Sequence, residues 1–274
     1  LEQFTIKRVQ RGIDLKSIDY EIIINDGTIE ECNNELFTTL EGEEANHGIL
    51  EVTLCENSIY NTITMSNVKL FNNHYSIYKE TKKYRAAGGI GLIIKTEDGT
   101  NSAISFGVQM TGCKFISNFA QTNNDNDPNQ HSGGGFYFSN EDSENTNLNL
   151  ESLVFEECEF ISNTATNKGG AIFVEGNSNL KTITIRKTTF EGNEASTNGG
   201  SVYIESSKST ILEATFANNT ISDNRCDQRY GGFYISSNGQ ISFDFCTFVN
   251  NKALSFGMSE TETTIKSDCG ALYL

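Results

Sequence analysis

Tryptophan is absent from this chain of 274 residues, proline occurs once (Pro128), and histidine three times (His47, His74, His131). No apolar run approaches the roughly 18 residues that a membrane-spanning helix needs. The opening LEQFTIKRVQRG lacks the apolar centre of a secretion signal. Basic residues are few: 20 Lys and Arg stand against 36 Asp and Glu, for a net charge of −16 and a pI near 4.6. Nucleic-acid affinity comes mainly from cations on the phosphate backbone. This balance therefore excludes DNA and RNA as expected partners and favours a soluble, self-repelling surface. No CxxC occurs among the seven cysteines, which removes zinc-ribbon and thioredoxin chemistry.

The usual catalytic constellations are missing as well. The histidines fall in different parts of the chain, and no Ser or Cys sits in a nucleophile elbow. They are expected as solvated loop residues. Acidic residues such as Glu141, Asp142, Glu191 and Asp223 are scattered through turns, without a paired-carboxylate pattern on a strand. The loop NNDNDPNQH (123–131) starts like a calcium loop at Asp125, Asp127 and Asn129. Gln130 and Phe136 then stand where the sharp-turn Gly and the bidentate Glu belong, so that reading fails. Glycine pairs open no helical pattern, so no phosphate cradle, metal or other cofactor is expected.

What is present is a repeat. CKFISNFA (113–120) returns as CEFISNTA (158–165), then in weaker form as TTFEGNEA (188–195), NTISDNRC (219–226) and CTFVNNKA (246–253). VKLFNNHY (68–75) is an earlier copy. An apolar residue and an Asn three positions later persist, and the asparagines are Asn73, Asn118, Asn163, Asn193, Asn224 and Asn251. Downstream of each octet comes a glycine-led piece, GGAIFV (169–174) being typical. Its small third residue is Gly91, Gly135, Ala171, Ser201, Gly232 or Ala271 in successive units. A third apolar run, such as ITI (183–185), precedes each new octet.

Three short strand candidates per unit, a shortest unit of 27 residues and insertions confined to connections predict a solenoid. The expected fold is an all-β, single-stranded parallel β-helix with three strands per coil and roughly nine coils. Equivalent residues of successive coils then stack at about the 4.8 Å strand spacing. Apolar residues form a column inside, the Asn residues an amide ladder at a corner, and the small residues a crowded corner. In the N-terminal third, IEECNNELFTTL (29–40) aligns with VTLCENSIYNTI (52–63), Cys32 over Cys55. The expected division is 1–67, irregular N-terminal coils or a cap, and 68–274, β-helix repeats.

Stacking would bring Cys113 to Cys158 and Cys32 to Cys55, within disulfide range. The alternative is buried free thiols filling apolar space. One glycosylation sequon occurs, at Asn218-Asn219-Thr220. Enlarged connections at 74–88, 119–132 and 252–268 are where recognition is expected, because loops on a rigid scaffold commonly carry it.

The alternation of FISN (115–118), FISN (160–163), FEGN (190–193) and FVNN (248–251) with GGAI (169–172) and CGAL (269–272) resembles chlamydial polymorphic membrane proteins. Similar repeats occur in protist surface proteins. The resemblance covers roughly 68–274. It implies a right-handed β-helix displayed outside the cell or on its surface, with an adhesive or structural role. Expected partners are then protein or glycan at the cell surface, with end-to-end self-association, and the chain reads as a segment of a longer one. The competing expectation is a carbohydrate-binding or polysaccharide-degrading β-helix.

Overall fold

The computed structural model describes residues 2–8, 13–18, 22–36, 50–54, 61–77, 87–94, 104–122, 132–139, 148–176, 180–206, 213–254 and 270–274. The described residues form four sheets of parallel strands, two with eight strands and two with seven. One coil shows the plan. Thr182–Arg186 lies in the first sheet, Thr189–Glu191 in the second, Glu194–Ala195 in the third and Val202–Ser206 in the fourth. Each strand pairs with its equivalent in the coils before and after, as Ile183 does with Leu153 and Ala214. The chain is a parallel β-helix, eight strands deep where it is described.

There are four strands per coil rather than three. The octet does not run as one strand. A single residue with left-handed backbone breaks it, Gly192 (φ +62°) in TTFEGNEA and Ser162 (φ +53°) in CEFISNTA. The same device turns the chain from the first sheet to the second, at Glu157, Lys187 and Asn218 in successive coils. Left-handed backbone costs a residue bearing Cβ about 1–2 kcal/mol. Small or polar residues therefore dominate both corners. Phe245 (φ +53°) is a bulky exception, and Tyr230 (φ +64°) is another at a third corner.

Strand alternation fills the inside. Leu70, Phe115, Phe160, Phe190 and Ile221 are fully buried in one column. Phe115 stacks on Phe160 at 4.5 Å, and Phe160 on Phe190 at 5.2 Å. In-register parallel strands place like side chains one above the other, so flat rings meet face to face along the axis.

Register corrects the placement of one small residue and decides between the alternatives for the cysteines it describes. Ile90 pairs with Phe136, which puts Gly89, not Gly91, beside Gly135 in the small-residue column. Gly91 instead pairs with Tyr137. The expected stacking of Cys32 on Cys55 falls on a residue outside the described ones. Ile29 pairs with Leu70, so Cys32 occupies the slot of Asn73 and its backbone N–H donates to Asn73 Oδ1 at 3.1 Å. Leu50–Leu54, which precedes Cys55, belongs to the fourth sheet, and Cys55 itself lies outside the described residues. Cys113 and Cys158 are buried free thiols. Parallel neighbours hold their Cβ atoms near the strand spacing of about 4.8 Å, longer than the roughly 3.8 Å a disulfide prefers. Each thiol donates to a carbonyl of the preceding coil instead, Cys113 to Met65 and Cys158 to Met110, both at 3.5 Å.

Candidate functional site

Two ladders of polar side chains run inside the corners. In the first, Asn118 shows the full pattern. Its Nδ2 donates to Leu70 O in the coil below and to Asn163 Oδ1 in the coil above, both at 3.0 Å. Its backbone N–H also donates to Asn163 Oδ1, at 3.1 Å. Its own Oδ1 accepts from Asn73 Nδ2 at 2.9 Å. The pattern continues through Asn193 and Asn224 to Asn251. Asn73, Asn118, Asn163, Asn193 and Asn224 are buried, and each amide is satisfied within the column. Buried amides so placed hold the corner and leave no donor or acceptor for a ligand. The second ladder runs through Cys158, Thr188 and Asn219. Cys158 N donates to Thr188 Oγ1 at 3.4 Å, and Thr188 N to Asn219 Oδ1 at 2.9 Å.

The small-residue column, Gly89, Gly135, Ala171, Ser201, Gly232 and Ala271, lines the entry to the fourth sheet. The glycines just before it are also held by close backbone contacts. A Cβ on Gly170 would lie 2.3 Å from Gly200 O and 2.5 Å from Glu194 O.

Chemistry gathers on the outer face of the fourth sheet. Tyr137, Phe173, Tyr203, Tyr234 and Tyr273 stack with ring centroids 5.2, 5.4, 4.7 and 5.1 Å apart. The first three are buried although they point away from the main core, and with Ala87 and Tyr234 they form a separate apolar cluster. The faces of these rings are used on one another, so the column offers a sugar little flat surface to stack on.

Beside this column lies a cluster of titratable groups. Lys168 Nζ stands 4.5 Å from the centre of the Tyr203 ring, donates to Tyr203 Oη at 3.1 Å and lies 3.5 Å from Glu175 Oε1. The Tyr203 hydroxyl donates to the Glu205 carboxylate. Burial first, and that carboxylate second, hold the phenol well above its ordinary range. Glu175 and Glu205 are register partners on adjacent strands. They form a carboxylate pair on one strand face, which the sequence reading had not recognised. The signal was there: each Glu follows the glycine-led piece at the same offset, in GGAIFVE and GGSVYIE. The cluster ties the corner residue Lys168 to the sheet face. Lys168 and Tyr203 each engage one of the two carboxylates.

Other expected positions are dispersed. His74 is not a loop residue. It lies in the strand His74–Ile77, stacked on Phe119 at 5.0 Å, with Nε2 3.2 Å from Gln121 Oε1. His47, His131, Asp125, Asp127 and the bulk of the three enlarged connections fall outside the described residues. The roots of the first two connections lie in adjacent coils, because His74–Ile77 pairs with Phe119–Thr122. Among the described residues, no group of three or more His, Cys, Asp or Glu is placed to hold a metal ion, and no helix is long and apolar enough to cross a membrane.

The architecture defines a repeat-built parallel β-helix. The model of the Chlamydia polymorphic membrane protein repeat matches residues 157–175 and 187–205. The two matches are successive coils. Each begins at a left-handed corner residue, Glu157 or Lys187, and ends at a carboxylate of the pair, Glu175 or Glu205. No curated protein and no solved structure matches the chain.

Proposed function

We propose that this chain is part of a surface-displayed β-helix whose role is structural and adhesive, a stiff rod presenting connections to protein or glycan partners. The observation that carries the reading is the pair of repeat matches on consecutive coils of an uninterrupted solenoid. Among the described residues, backbone bonds join each coil to the next, the amide ladder adds to them from Asn73 to Asn251, and stacked rings add to them at Phe115, Phe160 and Phe190. Such a body resists bending, and a long, rigid, acidic surface suits display better than turnover. The enlarged connections rooted in adjacent coils are the recognition elements in this reading.

A test uses antibodies raised to the chain, applied to intact and to permeabilised cells that produce it. Labelling of intact cells is expected, and labelling only after permeabilisation would refute surface display. Beads coated with the chain should adhere to such cells and lose adhesion when residues 78–86 and 123–131 are replaced by short linkers. Undiminished adhesion would remove those connections from the role.

A second reading, a glycan-degrading β-helix, rests on the Glu175–Glu205 pair. Lys168 and Tyr203 occupy these carboxylates, which favours the scaffold. Polysaccharide cleavage abolished by Glu175→Gln and Glu205→Gln would reverse that preference.

A further inference from the structure

Phe245 is the most exposed of the large apolar side chains among the described residues, 89% open to solvent, and it sits on left-handed backbone that an aromatic residue rarely adopts. Its column makes the choice stranger. The corner residues below it are polar or glycine and bond from coil to coil. Asn67 Nδ2 donates to Asp26 Oδ1 at 3.1 Å, and Lys187 Nζ pairs with Glu157 at 2.9 Å. Ala217 pairs with Asp244, so the residue directly beneath Phe245 is Asn218. Asn218 is exposed, and its N–H donates to Asp244 O at 2.8 Å, which fixes the backbone between the two. Asn218 opens the chain's sequon. Alternation turns Asn219 inward, where it is buried, and leaves Thr220 exposed outward beside Asn218. The sequence shows the sequon. Only the register shows that a bare aromatic ring stands one coil above it.

We propose that Asn218 carries an N-linked glycan and that Phe245 receives the apolar face of its first N-acetylhexosamine. In the transfer, Asn218 Nδ2 attacks C1 of a lipid-linked oligosaccharide pyrophosphate. The C1–N bond forms, the C1–O bond to phosphate breaks, the amide proton passes to a base of the transferase, and the lipid pyrophosphate leaves. Once attached, the sugar lies about one strand spacing from the ring. Its axial C–H groups meet the electron-rich face, the geometry in which aromatic side chains bind apolar or cationic edges. This accounts for an exposed Phe where the column otherwise carries polar side chains, and it rests on the proposed display outside the cell.

The test expresses the 274-residue chain through a eukaryotic secretory pathway, so that it decides the site whatever the native destination. Glycosidase treatment should raise the mobility of the wild-type chain on a gel and leave Asn218→Gln unchanged. An unmodified secreted wild type would overturn the proposal. Thermal unfolding should show that the glycan raises the midpoint of the wild type. In Phe245→Ala that increment should disappear while occupancy at Asn218 remains. An equal increment in both would separate the glycan from the ring and overturn the second half. Failure of surface labelling with a positive mobility shift would remove only the display reading.

Discussion

The side-chain Nδ2 of Asn193 donates to Asn224 Oδ1 at 2.9 Å, across 31 residues of sequence, while its other proton goes to Phe160 O, also at 2.9 Å. Asn193 thereby joins three consecutive coils through one buried amide. Replacing it by Ala leaves the backbone N–H of Asn163 and one proton of Asn163 Nδ2 without their acceptor. Each unsatisfied buried group costs about 1–3 kcal/mol. Asn193→Ala is expected to lose about 3 kcal/mol, read as a lower urea midpoint. Hydrogen exchange should speed up first in the coils that contain Asn163 and Asn224. Uniform acceleration along the rod would count against a local lock.

Two glycines separate conformational from steric demand. Gly192 has φ +62°, and its nearest neighbour to an added Cβ is Ser162 Oγ at 3.5 Å. Gly192→Ala should therefore cost only the left-handed penalty of about 1 kcal/mol. Gly170 has no positive φ, yet its Cβ would collide with the backbone oxygens of Gly200 and Glu194. Gly170→Ala should cost about 3 kcal/mol or more, as overpacking of a closed site does. Urea unfolding of the two variants checks the order, and the reverse order would contradict the steric account.

Tyr203 predicts an alkaline weakness. Its folded phenol is held above the ordinary value of 10.0 by burial and by Glu205. A raised folded value means that the contribution is complete below pH 10.0 and is lost as the pH climbs toward the folded value. Melting temperatures should fall above pH 10 in the wild type and fall less in Tyr203→Phe, which has no proton to lose. Parallel curves for the two proteins would show that the cluster does not govern the loss.

The thiols should differ in reactivity. Cys113 and Cys158 are buried, and contact with Cys113 together with burial pushes the Cys158 thiol well above its usual range. Cys246 occupies the same column but is only partly buried. Brief maleimide treatment of the native chain followed by peptide mass mapping should label Cys246 and spare the other two. Rapid labelling of Cys158 would mean that the coil opens readily.

The solenoid is legible in the sequence because a parallel β-helix writes each structural demand once per coil. An Asn that must bond to the next Asn, and a Phe that must lie on the next Phe, recur at fixed offsets however long the connections grow. Tertiary structure alone decided the register of the first glycine-led unit. Strands alternate with a period of two, so Gly89 and Gly91 satisfy the same inward–outward pattern, and only pairing with Gly135 distinguishes them. It also decided the number of faces, because a one-residue left-handed turn is invisible where Ser, Asp and Asn serve as well as Gly. The outer aromatic column, the Glu175–Glu205 pair and the placement of Phe245 above Asn218 belong to the same class. Neighbours in these sets lie 27 to 39 positions apart in the chain, and the coil closes that separation to one strand spacing.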